Sequence, residues 1–182
     1  TNISAPETLT SAQTTLSIDV ASYFNFQVDD IDKAQDKPKV METAMGRAAY
    51  GVSDEIDTAI LTAMAAGVAS GNILSADTSM ATADYYDHLV ELAVALSTAN
   101  VPKEGRFVIV PPWYTGGLLK DSRFTASPPL SADVMTNGGM RRVAGLDVYE
   151  SNNVYEPSAG TTFAIVAGVN MATSFAQQVV EV

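Results

Sequence analysis

The residues in this sequence best placed for chemistry gather around its sole histidine. His88 has Asp84, Asp87 and Glu91 at offsets of three or four, which on a helix puts these side chains on neighbouring rows. Carboxylates and an imidazole so arranged could hold a hydrated metal ion. A tight zinc site draws on several histidines or cysteines, and the sequence has one histidine and no cysteine. An exposed acidic helix face, its first carboxylates favouring the helix N-terminus, accounts for the same residues. Asp29-Asp30-Ile31-Asp32 opens like a calcium loop, but Ala34 and Val40 stand where such a loop needs its glycine and glutamate. Capping and solvation explain that acidic run.

Nucleophilic chemistry fares no better. A serine would need a base, and His88 is the one histidine on offer. The chain has no Gly-x-Ser-x-Gly elbow, no phosphate loop ending in Gly-Lys-Ser/Thr and no Gly-x-Gly-x-x-Gly fingerprint. Gly46 and Gly51 have phosphate-loop spacing, but Val52-Ser53 replaces the lysine. Carboxylate pairs suited to glycoside chemistry occur in any acidic protein and single out no site. Trp113 and Tyr114 have the chemistry to line a sugar or peptide site, although such residues more often fill a core or a subunit boundary. No catalytic, cofactor-binding or metal residue is assigned, no cofactor is implied, and the chain is not expected to be an enzyme.

Composition narrows the partners. With 182 residues, nearly half of them apolar, the chain fits one medium domain or two closely joined lobes with a real core. A net charge of −11, with Arg141–Arg142 as the only adjacent basic pair, argues against a surface that tracks phosphates. It suits solubility at high concentration, or lying beside DNA without gripping it. The absence of cysteine removes disulfides and thiolate catalysis and leaves the redox compartment open. No apolar run approaches the roughly 20 residues needed to cross a bilayer, so no membrane partner is expected. No stretch of the given sequence reads as a secretory leader. The chain opens on Thr1 rather than Met, which reads as a processed product or an excised piece of something longer.

The element that organises the rest is a long helix predicted from Pro38 to about Ala66. Met41, Met45, Ala49, Val52, Ile56, Ile60 and Met64 fall on one stripe at helical spacing. Pro38 suits a first turn, while Gly46 and Gly51 weaken the helix and suggest a break near Gly51. Before it, residues 1–13 read as an irregular arm. Leu16, Ile18, Val20 and then Phe24, Phe26, Val28 alternate with polar neighbours like half-buried strands. After Gly67 a Ser/Thr/Asp-rich link marks a lobe boundary. Thr82 is expected to cap a second helix over about Ala83–Thr98, with Tyr85, Leu89, Leu92 and Leu96 inward and Asn100 near its end.

Phe107–Val110 then reads as a central strand covered on both sides, Trp113–Lys120 as a short helix weakened by Gly116-Gly117, and 121–140 as a long exposed loop. Strands are predicted at Arg142–Val143, Leu146–Tyr149, Thr161–Ala167 and from Val179. Gly145 marks a turn or bulge, and Asn170 is expected to cap a short helix through Gln178.

In that order the segments carry a resemblance. The run Val101-Pro102-Lys103-Glu104-Gly105-Arg106-Phe107-Val108-Ile109-Val110-Pro111-Pro112-Trp113, with Leu118-Leu119-Lys120-Asp121 and Arg123-Phe124 after it, looks like the signature of tailed-phage major capsid proteins. It most resembles coat proteins of the Salmonella podovirus type. Thr15–Asp19 leading through Phe26–Ala34, and Arg142–Asn153, agree with it, so the resemblance spans about residues 15–182. It implies an α+β, Hong Kong 97-like capsid fold. Residues 1–70 would form a peripheral lobe with extended strands and a long spine helix, and 71–182 an axial lobe, a mixed sheet flanked by helices.

The resemblance places the usual N-terminal arm and most of the extended loop before Thr1, and the C-terminal return after Val182. The chain is then truncated at both ends, and a piece lacking those parts is expected to stay monomeric rather than close a shell. The short 121–140 span leaves no room for the extra domain some of these coat proteins carry. The function implied is a structural major capsid protein that self-assembles into an icosahedral shell enclosing double-stranded DNA. Its partners would be copies of itself in pentamers and hexamers, scaffolding and portal proteins, and packaged DNA without sequence-specific contact. It would be made in the host cytoplasm and reside in the virion. An encapsulating nanocompartment shell and an extracellular binding module are the alternatives. The 121–140 loop is expected to point toward the capsomer axis and to change conformation on assembly.

Overall fold

Lys39–Gly67 forms one α-helix of 29 residues, α1, about 43 Å long at 1.5 Å per residue. The computed structural model describes residues 15–25, 39–74, 84–125, 142–158 and 160–178. No break occurs at Gly51: the helix runs through both Gly46 and Gly51. Ser53, Thr58 and Thr62 donate their hydroxyls to the carbonyls one turn back, Ala49, Asp54 and Thr58, at 3.0, 2.9 and 2.8 Å, which satisfies these side chains within the helix. Burial follows the expected stripe only in the second half of α1. Leu61 is buried and Val52, Ile56, Ile60 and Met64 are half-buried, whereas Met45 is 47% exposed and Ala49 is exposed.

A 3-10 turn, Ser70–Asn72, follows α1. The second helix, α2, runs Tyr85–Thr98 and is capped by Asp84, whose carboxylate accepts from the Asp87 N–H. The expected cap, Thr82, lies outside the described residues, and the helix starts two residues later than its periodicity suggested. Its end closes as a Schellman motif. Asn100 takes φ +56°, its N–H donates to the Ser97 carbonyl, and the Val101 N–H reaches back to Leu96. Asparagine tolerates the left-handed region that this motif requires.

The chain then enters β1, Arg106–Val110. Pro111 and Pro112 stop the strand, and Pro112 begins α3, Pro112–Lys120, where its missing N–H costs nothing. A single turn, α4, Ser122–Thr125, follows. Beyond it, β2 (Arg142–Val143), β3 (Leu146–Glu150) and β4 (Val166–Val169) complete one mixed sheet of order β2-β3-β1-β4. β1 is parallel to β3 and antiparallel to β4, and β2 is antiparallel to β3. The β2–β3 turn needs positive φ at both central residues, and Ala144 (+50°) and Gly145 (+83°) supply it.

One face of the sheet carries the core. Arg106, Val108 and Val110 are buried, while Phe107 and Ile109 between them are half-buried, so β1 is fully covered on one side rather than on both. Leu89 of α2, Tyr114 and Leu118 of α3, Val143 and Leu146 join Val108 and Val110 in one buried cluster. Tyr85, Leu92 and Leu96 pack against it, as the α2 periodicity predicts. Among the residues of α1 whose burial is described, Leu61 is the buried apolar one, and it stands apart from that cluster.

Ser122–Thr125 is a helical turn within the expected 121–140 loop, and three further sequence expectations are corrected. Thr15–Asn25 contains no strand, and Leu16, Ile18 and Val20 are exposed. Alternation gives such a segment one apolar face but does not supply the neighbouring strand that a ladder needs. The strand expected at Thr161–Ala167 begins only at Val166, because Thr161 and Thr162 are spent on a turn closed by a Ser158–Thr162 bridge. The helix expected from Asn170 is a single 3-10 turn, Asn170–Ala172, and the chain is irregular from there to residue 178. Phe26, Val28, Asp29–Asp32, most of the 121–140 loop and the strand expected from Val179 lie outside the described residues.

Candidate assembly surface

Two of the carboxylates around His88, Asp84 and Asp87, are turned toward a cation of the chain itself. Asp84 and Arg123 form a bidentate pair, Nη1–Oδ1 2.8 Å and Nη2–Oδ2 2.9 Å. The same guanidinium reaches Asp87 at 3.2 Å and Asp121 at 3.6 Å, and lies 5.1 Å from the Tyr86 ring centre. The hydrogen bonds from Arg123 hold the Asp84 carboxyl below its ordinary range, and Asp84 in turn holds the guanidinium's proton more firmly. Glu91 is exposed and His88 half-buried. Arg123, which organises this corner, follows Asp84 by 39 residues, a separation at which no spacing rule in the sequence signals a pair.

Trp113 and Tyr114 do not line an open site. Tyr114 is 2% exposed and donates its hydroxyl to the Tyr85 carbonyl at 2.6 Å. Burial, and secondarily Tyr85 and Asp84, pushes its phenol well above the usual tyrosine range. Trp113 packs edge-on against Tyr85, Tyr114 and Phe163, with ring centres 6.3, 5.7 and 5.3 Å apart. Gly117 makes the cluster possible, since a Cβ there would sit 2.4 Å from the Tyr85 ring. These aromatics join α2 to α3 as core.

The second charged residue missed by sequence reading is Arg106, 4% exposed at the start of β1. Its guanidinium donates to the carbonyls of Pro102 (2.8 Å), Ala93 (3.2 Å) and Val101 (2.6 Å) and to the Ser97 hydroxyl (2.9 Å). It thereby fills the carbonyl-rich end of α2, where a positive charge is favoured. This is structural chemistry rather than catalysis.

The surface offers apolar side chains instead of a reactive cleft. Tyr50 on α1 is 75% exposed and Met171 is 91% exposed, and Ile73, Leu74, Tyr149 and Phe175 stand out as well. Isolated exposed apolar residues are ordinary, but here they recur on α1, after it, on β3 and beyond β4. α1 meets the sheet at β4, and just past β3 the Asn153 amide donates to Asp54 Oδ1 of α1 at 2.7 Å, in a crevice lined by Tyr50, Ser53, Asp57 and Glu150. Among the described residues no group of three or more His, Asp or Glu side chains is placed to hold a metal ion, and no helix is long and apolar enough to cross a membrane.

A lone strut helix, a small mixed sheet and bare apolar side chains describe a part that fits against other parts. Residues 13–182 match the family of phage capsid proteins. The chain belongs to that family. Two solved structures are similar to this phage capsid protein. A chain from Mycobacterium phage Che8 aligns at a TM-score of 0.57 and 27% identity, covering 73% of this chain and 48% of that one. A chain from the capsid structure of the cyanophage P-SCSP1u aligns at 0.54 and 19%, covering 74% and 48%, and shows the fold alone. This capsid protein chain thus spans about half the length of the structures it matches. No curated protein sequence matches it. The phage capsid fold and its α+β mixed sheet are those the sequence resemblance implied, and the family's role is a structural one.

Proposed function

We infer that the chain is part of a structural major capsid protein whose copies assemble into an icosahedral shell around double-stranded DNA, with no enzymatic step of its own. The observation that carries this is α1, 29 residues long, baring Met45 and Tyr50 while its second half rests on its own chain. Such a strut gains its missing burial from outside this chain, and repeated modest contacts between copies close a shell by symmetry. Residues 1–70 serve as a peripheral lobe and 71–182 as an axial lobe, a division supported by the buried cluster drawing on none of α1. Pentamers and hexamers of the same chain, scaffolding and portal proteins, and packaged DNA held without sequence-specific contact are the partners. A net charge of −11 suits the last of these. The protein is made in the host cytoplasm and ends in the virion.

Electron microscopy of the complete coat protein tests this. The expected result is closed particles containing DNA, with α1 in the shell wall, and a Tyr50→Asp variant that folds but assembles poorly. Particles filled with enzyme cargo, a strongly basic inner wall, or full assembly of Tyr50→Asp would overturn the corresponding part.

A further inference from the structure

Charge links α4 to the first turn of α2. Arg123 lies in α4, and the carboxylates it grips sit at the N-terminus of α2 (Asp84, Asp87) and just before α4 itself (Asp121). Both Asp84 and Asp121 also cap a helix start, through the N–H groups of Asp87 (3.3 Å) and Arg123 (2.9 Å). One guanidinium therefore ties together two caps, and the Tyr86 ring lies alongside it. Arg123 (46%), Asp84 (44%) and Asp87 (58%) are exposed while Asp121 (16%) is partly covered, and the buried cluster is made by α2, α3 and the sheet.

We propose that this corner is an electrostatic latch: closed, it pins α4 to α2; open, it frees α4 while the α2–α3–sheet core stays folded. The inference goes beyond shell assembly and does not depend on it. Exposed pairs weaken as salt rises, and at 1 M the screening length is only about 3 Å. A latch of this kind is thus opened by ionic strength, whereas the apolar core beneath it is not.

Amide hydrogen exchange on the chain tests it. Between low and about 1 M salt, the amides of Ser122–Thr125 and of Asp87 are expected to exchange up to about fivefold faster, the range open to an exposed ion-pair network. Those of Val108 and Val110 in β1 should hold their rates. At low salt Arg123→Gln should reproduce the acceleration. Arg123→Lys, which keeps the charge but loses the two-pronged grip, should fall between. Unchanged α4 rates in high salt and in Arg123→Gln would overturn the latch, as would an equal acceleration of the β1 amides.

Discussion

Replacing Arg106 by alanine removes the charged side chain that serves the carbonyl-rich end of α2. Two contributions set the size of the effect. Alanine keeps Cβ, so two buried methylenes are lost, at about 0.8 kcal/mol each, or roughly 1.6 kcal/mol. Three backbone carbonyls also lose a charged donor. Ala93 keeps a bond from the Ser97 hydroxyl at 2.8 Å, and Pro102 is exposed enough to take water, so about one carbonyl is stranded, at about 1–3 kcal/mol. The guanidinium's own burial had a cost that the variant recovers. The balance is a destabilisation of about 3 kcal/mol, a large share of the roughly 5–15 kcal/mol that holds a domain folded.

Urea unfolding followed through Trp113, which packs beside Tyr114 of the core, measures this. Arg106→Met separates the two contributions, because it keeps the stem and removes every donor. A buried ion pair replaced by apolar residues can gain stability, since both charges leave together. Here the acceptors are backbone and cannot leave, so Arg106→Met is expected to lose about 1–3 kcal/mol. Arg106→Lys should lie between, since an ammonium cannot reach carbonyls in three directions from one point. Arg106→Met as stable as the native chain would refute the reasoning, by showing that water serves those carbonyls equally well.

Gly117→Ala gains about 1 kcal/mol of helix propensity but drives a methyl into the Tyr85 ring; a net loss of about 1–3 kcal/mol is expected in thermal melts. Ala144→Asn, at φ +50°, relieves backbone strain and should raise stability by about 0.5–1 kcal/mol in the same assay. Tyr114→Phe forfeits the bond to the Tyr85 carbonyl, for about 1 kcal/mol at neutral pH. The Tyr114 phenol is raised in the folded chain above its ordinary value of 10.0, so its contribution is complete below that value and lost as pH climbs beyond it, the unfolded chain ionising first. Stability measured by urea titration should therefore fall more steeply above pH 10 in the native chain than in Tyr114→Phe.

What could be read from the sequence is what local periodicity dictates. The 3.6-residue stripe and Pro38 gave α1 to within a residue or two, and Leu89, Leu92 and Leu96 named the inner face of α2. The Phe107–Val110 run and Gly145 located the centre of the sheet and its hairpin. Arg106 and Arg123 were illegible for a different reason. Each is defined by acceptors that folding brings to it, carbonyls at a helix end in one case and carboxylates 39 residues away in the other, and no pattern in the chain announces either. The aspartates beside His88 could be found but not assigned until Arg123 was seen to hold them.

The misread segments carry the argument furthest. Leu16, Ile18 and Val20 alternate as if half-buried, and Met45 lies on the α1 stripe, yet all four are exposed. Periodicity states which face an element can bury, not what will cover it, and within an isolated chain the cover is assumed to be the chain itself. For a shell subunit that assumption fails at the contacts between copies. On the proposed function, therefore, the apolar positions that pattern places inside and the fold leaves outside are the ones to mutate first. Met45→Asp should leave the melting temperature of the chain within about 2 °C, because an exposed substitution away from the core shifts stability by no more than about 0.5 kcal/mol, and should impair particle formation by the complete coat protein. If it instead unfolds the chain, Met45 belongs to this chain's own core and the inference from its exposure is wrong.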